Sequence, residues 1–264
     1  MSKLYPKDDN AILEIDLKAL SLNFKELKKK LNKNIECAAT VKANAYGIGD
    51  KAVVKSLTKN GCKSFFVAHL SEAIRLREYS KTIKVYCYHG INIKNYNEFL
   101  RFNIVPIANN LQQILMINSL NKKNSFNKPI AIHFDTGMSR LGLDANETAW
   151  LINNKNKISS IKIELIMSHL ACADQPKNSM NEKQLKKFIT IKKEFKKSKA
   201  SLANSAGILL NKKYHFDLVR PGIALYGGNP FLNKKVKLNN VVSLKAKIIQ
   251  IRKIQKGDTV GYGA

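Results

Sequence analysis

Eight short apolar segments recur along this chain, and helix-like stretches separate them. The segments are rich in valine and isoleucine and read IECAATVKA, KSFFVAHL, IKVYCYHG, NIVPIAN, PIAIHFDTG, IKIELIMSHL, KASLANS and FDLVRPG. Near-continuous apolar strands joined by helical crossovers indicate a parallel sheet that is covered by helices. Eight such units predict an α/β fold, a (β/α)8 TIM barrel, with a doubly wound open sheet as the alternative.

Helical periodicity supports this alternation. The stretch LSLNFKELKKKLN precedes the first strand, and its pattern predicts an amphipathic helix with one apolar face, made of Leu20, Phe24, Leu27 and Leu31. A later stretch, EKQLKKFITIKKEF, predicts a second such face, made of Leu185, Phe188, Ile189 and Phe195.

Polar side chains stand at the carboxyl ends of several predicted strands. In a barrel, chemistry is carried by the residues at this end. Lys42 ends the first strand and His169 ends the sixth. The others follow the fifth, seventh and eighth strands, in that order: Asp135 and Arg140, Asn204 and Ser205, and Arg220. We therefore expect all of these side chains to meet at one rim.

The last part of the chain has a different pattern. VVSLKAKIIQIRKIQKGDTVGYGA alternates apolar and polar residues near its start, and no helical stretch follows it. We therefore predict a barrel over residues 11–235 and the beginning of a β-rich C-terminal domain over residues 236–264.

Charge and cysteine usage bear on partners and compartment. The net charge is +27, but the basic residues are spread along the chain without the interleaved aromatics of a base-stacking surface. We expect no nucleic-acid or membrane partner, and a field that attracts anionic small molecules.

Four scattered cysteines form no CxxC, and the N-terminus lacks the apolar stretch of a signal peptide. A cytoplasmic protein without a metal site is expected.

Lys42 lies in TVKANAYGIG, at the end of an apolar run and before a tight, glycine-containing turn. A solvated lysine at a strand end is the more common case. A lysine that forms a Schiff base with a bound cofactor is the alternative, because its amine becomes nucleophilic when it is desolvated or lies beside another cation.

Two loops follow the seventh and eighth strands, where barrels often bind phosphate. They read SLANSAG and VRPGIALYG. Ser205 offers a hydroxyl, and Gly222 allows the backbone to approach a phosphate closely. A pair of ordinary turns is the alternative.

Four more side chains each allow two interpretations. Arg220 next to a pyridine nitrogen would keep that nitrogen unprotonated, since a guanidinium has no acceptor; a salt bridge to Asp217 or another carboxylate is the alternative. His169 is either a core histidine or a group that contacts a ring or orients a phenol. Arg140 forms a loop salt bridge or donates to a phenolate oxygen. Tyr262 is a strand tyrosine or an acid/base.

Six motifs occur in one order: TVKANAYGIG, FDTGMSRLG, MSHLACAD, LANSAG, VRPGIALYG and GDTVGYGA. With this order and spacing, the chain from Ala11 to its last residue resembles the pyridoxal-phosphate-dependent alanine racemases. The resemblance implies pyridoxal 5'-phosphate as cofactor, interconversion of L-alanine and D-alanine for peptidoglycan synthesis, and a head-to-tail homodimer with composite active sites.

The resemblance also implies a role for each matched residue. Lys42 would hold the cofactor and act as one catalytic base, and Tyr262 of the partner subunit would be the other base. Arg220 would face the pyridine nitrogen, Arg140 would lie near the cofactor's phenolic oxygen and the substrate, and His169 would lie beside the ring. The phosphate would be held by Tyr46, Asn204, Ser205, Gly222 and Ile223.

The chain departs from the family pattern at three points. Ile48 stands where many members have a histidine. His133 stands where many members have a lysine that becomes carbamylated and holds the arginine equivalent to Arg140, so that another group must hold Arg140 here. The family's C-terminal β domain, with its substrate gate, continues past the tyrosine motif, and this chain is expected to end early in that domain. A non-catalytic cofactor-binding barrel, a racemase of another amino acid, and a decarboxylase or aldolase are the alternatives.

Overall fold

The computed structural model describes residues 9–124 and 128–263. Ala264, the last residue of the predicted C-terminal segment, lies outside the described residues. The strands are β1 (Ala11–Ile15), β2 (Glu36–Cys37), β3 (Ala39–Thr40), β4 (Ser64–Val67), β5 (Lys84–Cys87), β6 (Val105–Ala108), β7 (Pro129–His133), β8 (Lys162–Met167), β9 (Lys199–Ser201), β10 (Leu218–Val219) and β11 (Val242–Ala246).

Helices alternate with these strands. They are α1 (Leu17–Lys29), α2 (Lys42–Tyr46), α3 (Asp50–Lys59), α4 (Leu70–Tyr79), α5 (Tyr96–Arg101), α6 (Leu111–Asn124), α7 (Ala145–Asn153), α8 (Ser179–Glu194) and α9 (Ser205–Leu210). Short 3-10 turns cover Lys155–Ile158, Lys212–Tyr214 and Ile223–Tyr226.

The strands close into a barrel. Strands β3 to β9 form a seven-stranded parallel sheet in chain order, and β10 pairs in parallel with β2, which continues into β3 after Ala38. On the other side of β10, the backbone N–H of Asp217 donates to the carbonyl of Ala200, and that of Arg220 donates to the carbonyl of Ala203, both at 3.0 Å. Counting β2 and β3 as one strand, eight strands surround the axis. The predicted (β/α)8 barrel is confirmed, and the open sheet is wrong.

Successive residues along the strands belong alternately to two separate hydrophobic cores. One cluster contains residues of the strands alone, including Phe66, Tyr86 and Leu165, and therefore fills the barrel interior. The other cluster combines strand residues with helix residues such as Phe24 and Leu76. The rings of Phe66 and Tyr86 stack with centroids 4.5 Å apart, which makes an aromatic floor beneath the carboxyl ends of the strands.

The predicted helix faces are mostly correct. In α1, Leu20, Phe24 and Leu27 are buried. Asp16 begins this helix by accepting hydrogen bonds from the backbone N–H groups of Lys18 and Ala19 at 2.8 and 2.9 Å. In α8 the prediction was wrong for Ile189, which is 40% exposed, because the buried stripe runs instead through Leu185, Phe188 and Ile191.

Two strands pair outside the barrel. Strand β1 runs antiparallel to β11, from Ala11 opposite Ala246 to Ile15 opposite Val242. The fully buried Asn23 of α1 holds the segment that leads to β11, since its Nδ2 donates to the carbonyls of Leu225 and Asn239 and its Oδ1 accepts from the Asn239 backbone. The division between residues 235 and 236 stays a prediction.

The described residues carry four free cysteines, of which Cys37, Cys62 and Cys87 are buried. Burial raises the pKa of the Cys37 and Cys87 thiols to about 12, so both are unreactive. Within 9–124 and 128–263, no helix has the length and apolar character needed to cross a membrane.

Candidate active site

A cavity of about 580 Å³ opens at the carboxyl ends of the strands. It contains the nine predicted site residues of the barrel: Lys42, Tyr46, Arg140, His169, Asn204, Ser205, Arg220, Gly222 and Ile223. The tenth, Tyr262, is fully exposed and does not line the cavity. The structure therefore brings these nine residues together, and it leaves the tyrosine of the last motif apart. Asp135, which was also expected at this rim, does not line the cavity.

Lys42 is followed by a left-handed turn. Its residues Ala43, Asn44, Ala45 and Tyr46 have φ between +53° and +56°. This conformation costs about 1–2 kcal/mol for each residue that has a Cβ. Hydrogen bonds of the backbone hold the turn, from Ala45 to the Val41 carbonyl at 2.9 Å and from Gly47 to the Ala43 carbonyl at 2.8 Å. A strained backbone at the mouth of a cavity is typical of a functional site.

Glu72 also contacts this turn, and the sequence did not reveal it. Its carboxylate accepts a hydrogen bond from the backbone N–H of Ala43 at 2.5 Å. The available signal was a glutamate three residues after His69, which indicates the start of a helix and nothing about Lys42.

Ser205 joins the two loops that were predicted to bind phosphate. Its hydroxyl accepts hydrogen bonds from the backbone N–H groups of Gly222 at 2.9 Å and Ala224 at 3.2 Å. The side chain of Asn204 accepts from the Gly207 N–H at 2.9 Å and so begins α9. These contacts hold the two loops together at one side of the cavity, where the Ser205 hydroxyl keeps its own proton to donate.

Tyr46 extends across the same side. A Cβ at position 222 would overlap its hydroxyl, so that any larger residue there would require the Tyr46 side chain to move. The ring of Tyr46 packs on Tyr226 with centroids 4.5 Å apart, and the Tyr226 hydroxyl donates to the Thr40 carbonyl at 3.0 Å. Burial of the phenol raises the pKa of Tyr46 to about 12, which keeps its hydroxyl protonated as a hydrogen-bond donor.

Arg220 is 2% exposed at the base of the cavity. Its Nε donates to the Ser201 hydroxyl at 2.8 Å, and its Nη2 donates to the Ser168 carbonyl. Among the described residues it forms no ion pair. The predicted alternative, a salt bridge to Asp217, is wrong, because Asp217 accepts from the Ala200 backbone and pairs with Lys192.

Two histidines beside this cation are uncharged. Burial and the charge of Arg220 hold the pKa of His169 well below its usual value. Burial and Arg220 also lower the pKa of His133, to about 3. Nδ1 of His133 lies 3.1 Å from Oδ1 of Asn109, whose amide nitrogen donates to the Tyr88 carbonyl, so Nδ1 carries the proton.

Arg140 extends from the loop after β7. Asp135 shapes this loop by accepting from the backbone N–H groups of Gly137, Met138 and Ser139. Burial alone would raise the pKa of Asp135, but these three donors outweigh it and lower the pKa. The Arg140 side chain is exposed and makes no hydrogen bond or ion pair with another described residue. His133, which stands where many family members have a carbamylated lysine, is bound by Asn109 and does not contact Arg140.

In chemical terms, the cavity combines the amine of Lys42 with two arginines, one of them buried, and with hydroxyl groups that can donate. Ile48, the other departure inside a motif, is half-buried and packs against the core. No cluster of metal-ligating side chains occurs within residues 9–124 and 128–263. The arrangement is suited to an anionic, phosphate-bearing ligand that carries a group reactive toward an amine.

Comparison with known proteins gives one consistent result. The family model described as "Alanine racemase, N-terminal domain" matches residues 15–230. The alanine racemase of Rickettsia bellii is 40% identical over 232 residues, which are 87% of this chain and 57% of that protein. The alanine racemase of Brucella abortus is 40% identical over 96% of this chain and 67% of that protein. This chain thus spans between about half and two thirds of these relatives.

Solved structures agree with this result. The structure of alanine racemase from Bartonella henselae with covalently bound pyridoxal phosphate has a TM-score of 0.88 and 37% identity, covering 95% of this chain and 72% of that one. The biosynthetic alanine racemase from Pseudomonas aeruginosa has a TM-score of 0.86 and 29% identity, covering 96% of this chain and 71% of that one.

Proposed function

This chain belongs to the alanine racemase family, and we propose that it uses pyridoxal 5'-phosphate to interconvert L-alanine and D-alanine. The observation that carries the proposal is the meeting of Lys42, Arg220 and Ser205 around one cavity, on three different strand ends. The D-alanine would supply peptidoglycan synthesis in the cytoplasm.

The residues of the cavity fit this cofactor. Gly222, which has no Cβ, allows the Tyr46 hydroxyl to lie directly against its backbone, and this hydroxyl is a donor that a phosphate could accept from. Arg220 is a buried cation without a carboxylate partner among the described residues, which suits a ring nitrogen as its acceptor. Tyr46, Asn204, Ser205, Gly222 and Ile223 would hold the phosphate, and Lys42 would hold the aldehyde end.

When bound, pyridoxal phosphate supplies the electron withdrawal that acidifies the Cα–H of an amino acid. Arg220 moderates this effect, since a guanidinium donates and never accepts, so that a nitrogen facing it stays unprotonated. Weaker electron withdrawal favours return of the proton to Cα over side reactions. The uncharged imidazole of His169 lies beside the same arginine and adds no second positive charge.

Racemisation requires a proton acceptor on one face of Cα and a proton donor on the opposite face, and the two groups exchange these roles in the reverse direction. We assign one side to the amine of Lys42, which opens into the cavity and must be neutral to accept a proton. Tyr262 cannot serve the same cavity in the described arrangement, because it is exposed outside it. We assign the second side to the partner subunit's Tyr262, in a homodimer with composite sites. Arg140, exposed at the mouth, would bind the substrate carboxylate and the phenolic oxygen of the cofactor.

A second candidate function is a barrel that binds the cofactor without turnover. Such a barrel would need Lys42 and the two loops but no second base, so Tyr262, which lies outside the cavity of its own chain, would have no role in it. A racemase of another amino acid is a further alternative, because Arg140 would bind the carboxylate that every amino acid carries.

Chiral chromatography of L-alanine incubated with the protein and pyridoxal phosphate tests the proposal. We expect D-alanine to form with the wild type and with K55A, a control for removal of an exposed lysine in α3, and to be absent with K42A. A covalent cofactor–Lys42 bond that borohydride reduces, without D-alanine, supports the binding alternative. A K42A protein that still binds the cofactor covalently contradicts the cofactor assignment. D-serine or a basic D-amino acid in place of D-alanine contradicts the substrate.

The dimer has its own test. We expect K42A and Y262F to be inactive alone and to regain activity when mixed, because a mixed dimer contains one site with both wild-type residues. Random mixing gives roughly a quarter of the wild-type sites. If mixed dimers form but activity does not return, the composite site is contradicted.

A further inference from the structure

We propose that Glu72 is the positioning residue for Lys42, holding the peptide group that joins Lys42 to the left-handed turn. This inference rests on the proposed function in one respect, namely that Lys42 is the reactive amine. The hydrogen bonds described next are independent of that function.

The carboxylate of Glu72 binds backbone groups from two neighbouring strand ends. Its Oε1 accepts from Ala43 at 2.5 Å, directly after Lys42. Its Oε2 accepts from Ala68 at 2.9 Å and His69 at 3.0 Å, directly after β4. The residue is 7% exposed and forms no ion pair with another described residue. A single buried carboxylate thus connects the end of β3 with the end of β4.

The contact at Ala43 fixes the direction of Lys42. The Ala43 N–H belongs to the same planar peptide group as the Lys42 carbonyl, so a hydrogen bond to this N–H restrains ψ of Lys42. The four following residues have left-handed φ values, which are unfavourable without external support. The bond to Glu72 therefore stabilises the turn and keeps the lysine pointing into the cavity.

Helix α4 holds the other end of the turn as well. The side chain of Asn44 accepts from the Asp50 N–H at 3.0 Å, and Arg75 binds the Asp50 carboxylate at 2.7 and 2.8 Å. Glu72 and Arg75 lie on the same helix. One rigid element thus supports the segment between Lys42 and α3, which distinguishes Glu72 from a group that only caps its own helix.

The chemistry of the carboxylate suggests a variant that separates its contact with Ala43 from its contacts at the start of α4. Glu72 accepts bonds on both of its oxygens, whereas a glutamine has one acceptor oxygen and one NH2 group. In E72Q the oxygen can still bind Ala68 and His69, but the NH2 group then faces the N–H of Ala43. The helix cap is kept and the link to Ala43 is lost.

Glu147 provides a matched control. It is also the third residue of its helix, α7, and accepts from the backbone of Asp144 at 3.3 Å, while its other oxygen accepts from Leu111 at 2.9 Å. It does not line the cavity. E147Q therefore keeps the contact of one oxygen and loses that of the other, as E72Q does, without touching Lys42.

Amide hydrogen exchange and kinetics of the holoenzyme test the inference. We expect E72Q to increase exchange in residues 43–46 by roughly 10-fold to 100-fold, the range for loss of a hydrogen bond to a charged group. We expect kcat to fall by a similar factor with KM for alanine nearly unchanged, and the visible absorbance of the lysine-bound cofactor to decrease. E147Q should leave these three quantities as in the wild type.

Two outcomes of the exchange measurement would overturn the proposal. Exchange in residues 43–46 that is the same in E72Q as in the wild type overturns the proposal, and so does an equal increase in E147Q. If E72Q does not fold, E72D, which is shorter by one methylene, is measured in the same way. If the wild type forms no D-alanine, the proposed function fails, while the exchange measurement still decides whether Glu72 holds the turn.

Discussion

The guanidinium of Arg220 lies beside the imidazole of His169, with Nη1 3.4 Å from Nδ1. Both side chains follow strand ends, and the cation is bound by Ser201 and Ser168 rather than by a carboxylate. The positive charge is therefore not neutralised locally, and the imidazole next to it stays uncharged. This pair defines the electrostatic character of the cavity floor.

Replacing Arg220 with lysine should lower kcat/KM by more than any loss of folded protein accounts for. A lysine keeps the charge but cannot make the same set of fixed donors. We expect kcat/KM of R220K for alanine to fall roughly 10-fold to 100-fold, corresponding to one or two lost bonds to a charged group. R77K is the control, since Arg77 also binds backbone carbonyls but lies away from the cavity. Equal kcat/KM for the two variants would contradict this role.

The stability of the protein should depend on pH through His133. Its folded pKa, about 3, lies below the usual value of about 6.5, so the unfolded chain binds more protons at any pH between these values. Stability is therefore lost as the pH falls below about 6.5. The loss from this one group approaches about 1.4 kcal/mol per pH unit.

Urea unfolding at several pH values between roughly 6.5 and 5 measures this effect. His169 has a lowered pKa as well, so some slope remains in any His133 variant. We expect H133N to show a smaller decrease of the unfolding free energy across this interval than the wild type. An identical slope would mean that the pKa of His133 is not lowered in the folded state.

Sequence reasoning predicted the barrel because its signal is repeated eight times, and each repeat is local. The positions of Lys42, His169 and Arg220 followed from the same pattern, since a polar residue that ends an apolar strand lies at the rim. The roles of these residues, in contrast, came from the resemblance and not from the pattern. They stay proposals.

Other features depended on contacts that are distant in the sequence. The bond from Glu72 to Ala43 spans 29 residues, and no periodicity indicates it. The left-handed turn was likewise hidden, because three of its residues, Ala43, Ala45 and Tyr46, have no preference for positive φ. Asp217 is three residues from Arg220, which made a salt bridge plausible, but it contacts the backbone of β9 instead.

A methyl group at position 222 should disturb the fold through one contact. The Cβ of G222A would overlap the Tyr46 hydroxyl, and such overpacking costs about 1–3 kcal/mol. We expect Y46F, which removes the hydroxyl oxygen, to recover part of this loss in the double variant. Urea unfolding of both single variants and the double variant measures the coupling. Strictly additive losses would show that the two positions do not meet.

Removing the hydroxyl of Ser205 should weaken both the fold and cofactor binding. S205A leaves the N–H groups of Gly222 and Ala224 without their acceptor, which costs about 1–3 kcal/mol. We expect a lower unfolding free energy and faster loss of pyridoxal phosphate on dialysis. S71A is the control, because Ser71 is exposed. If cofactor retention is unchanged in S205A, the phosphate does not bind at these loops.

We propose that this cavity moves the Cα proton of alanine between the two faces of Cα. Following L-alanine in D2O with the holoenzyme, by proton NMR for the Cα–H and by chiral chromatography for the product, tests it most directly. We predict that D-alanine appears with deuterium at Cα and that K42A abolishes both signals. Alanine that stays entirely in the L form, unlabelled, while the cofactor is covalently bound to Lys42, would contradict the account.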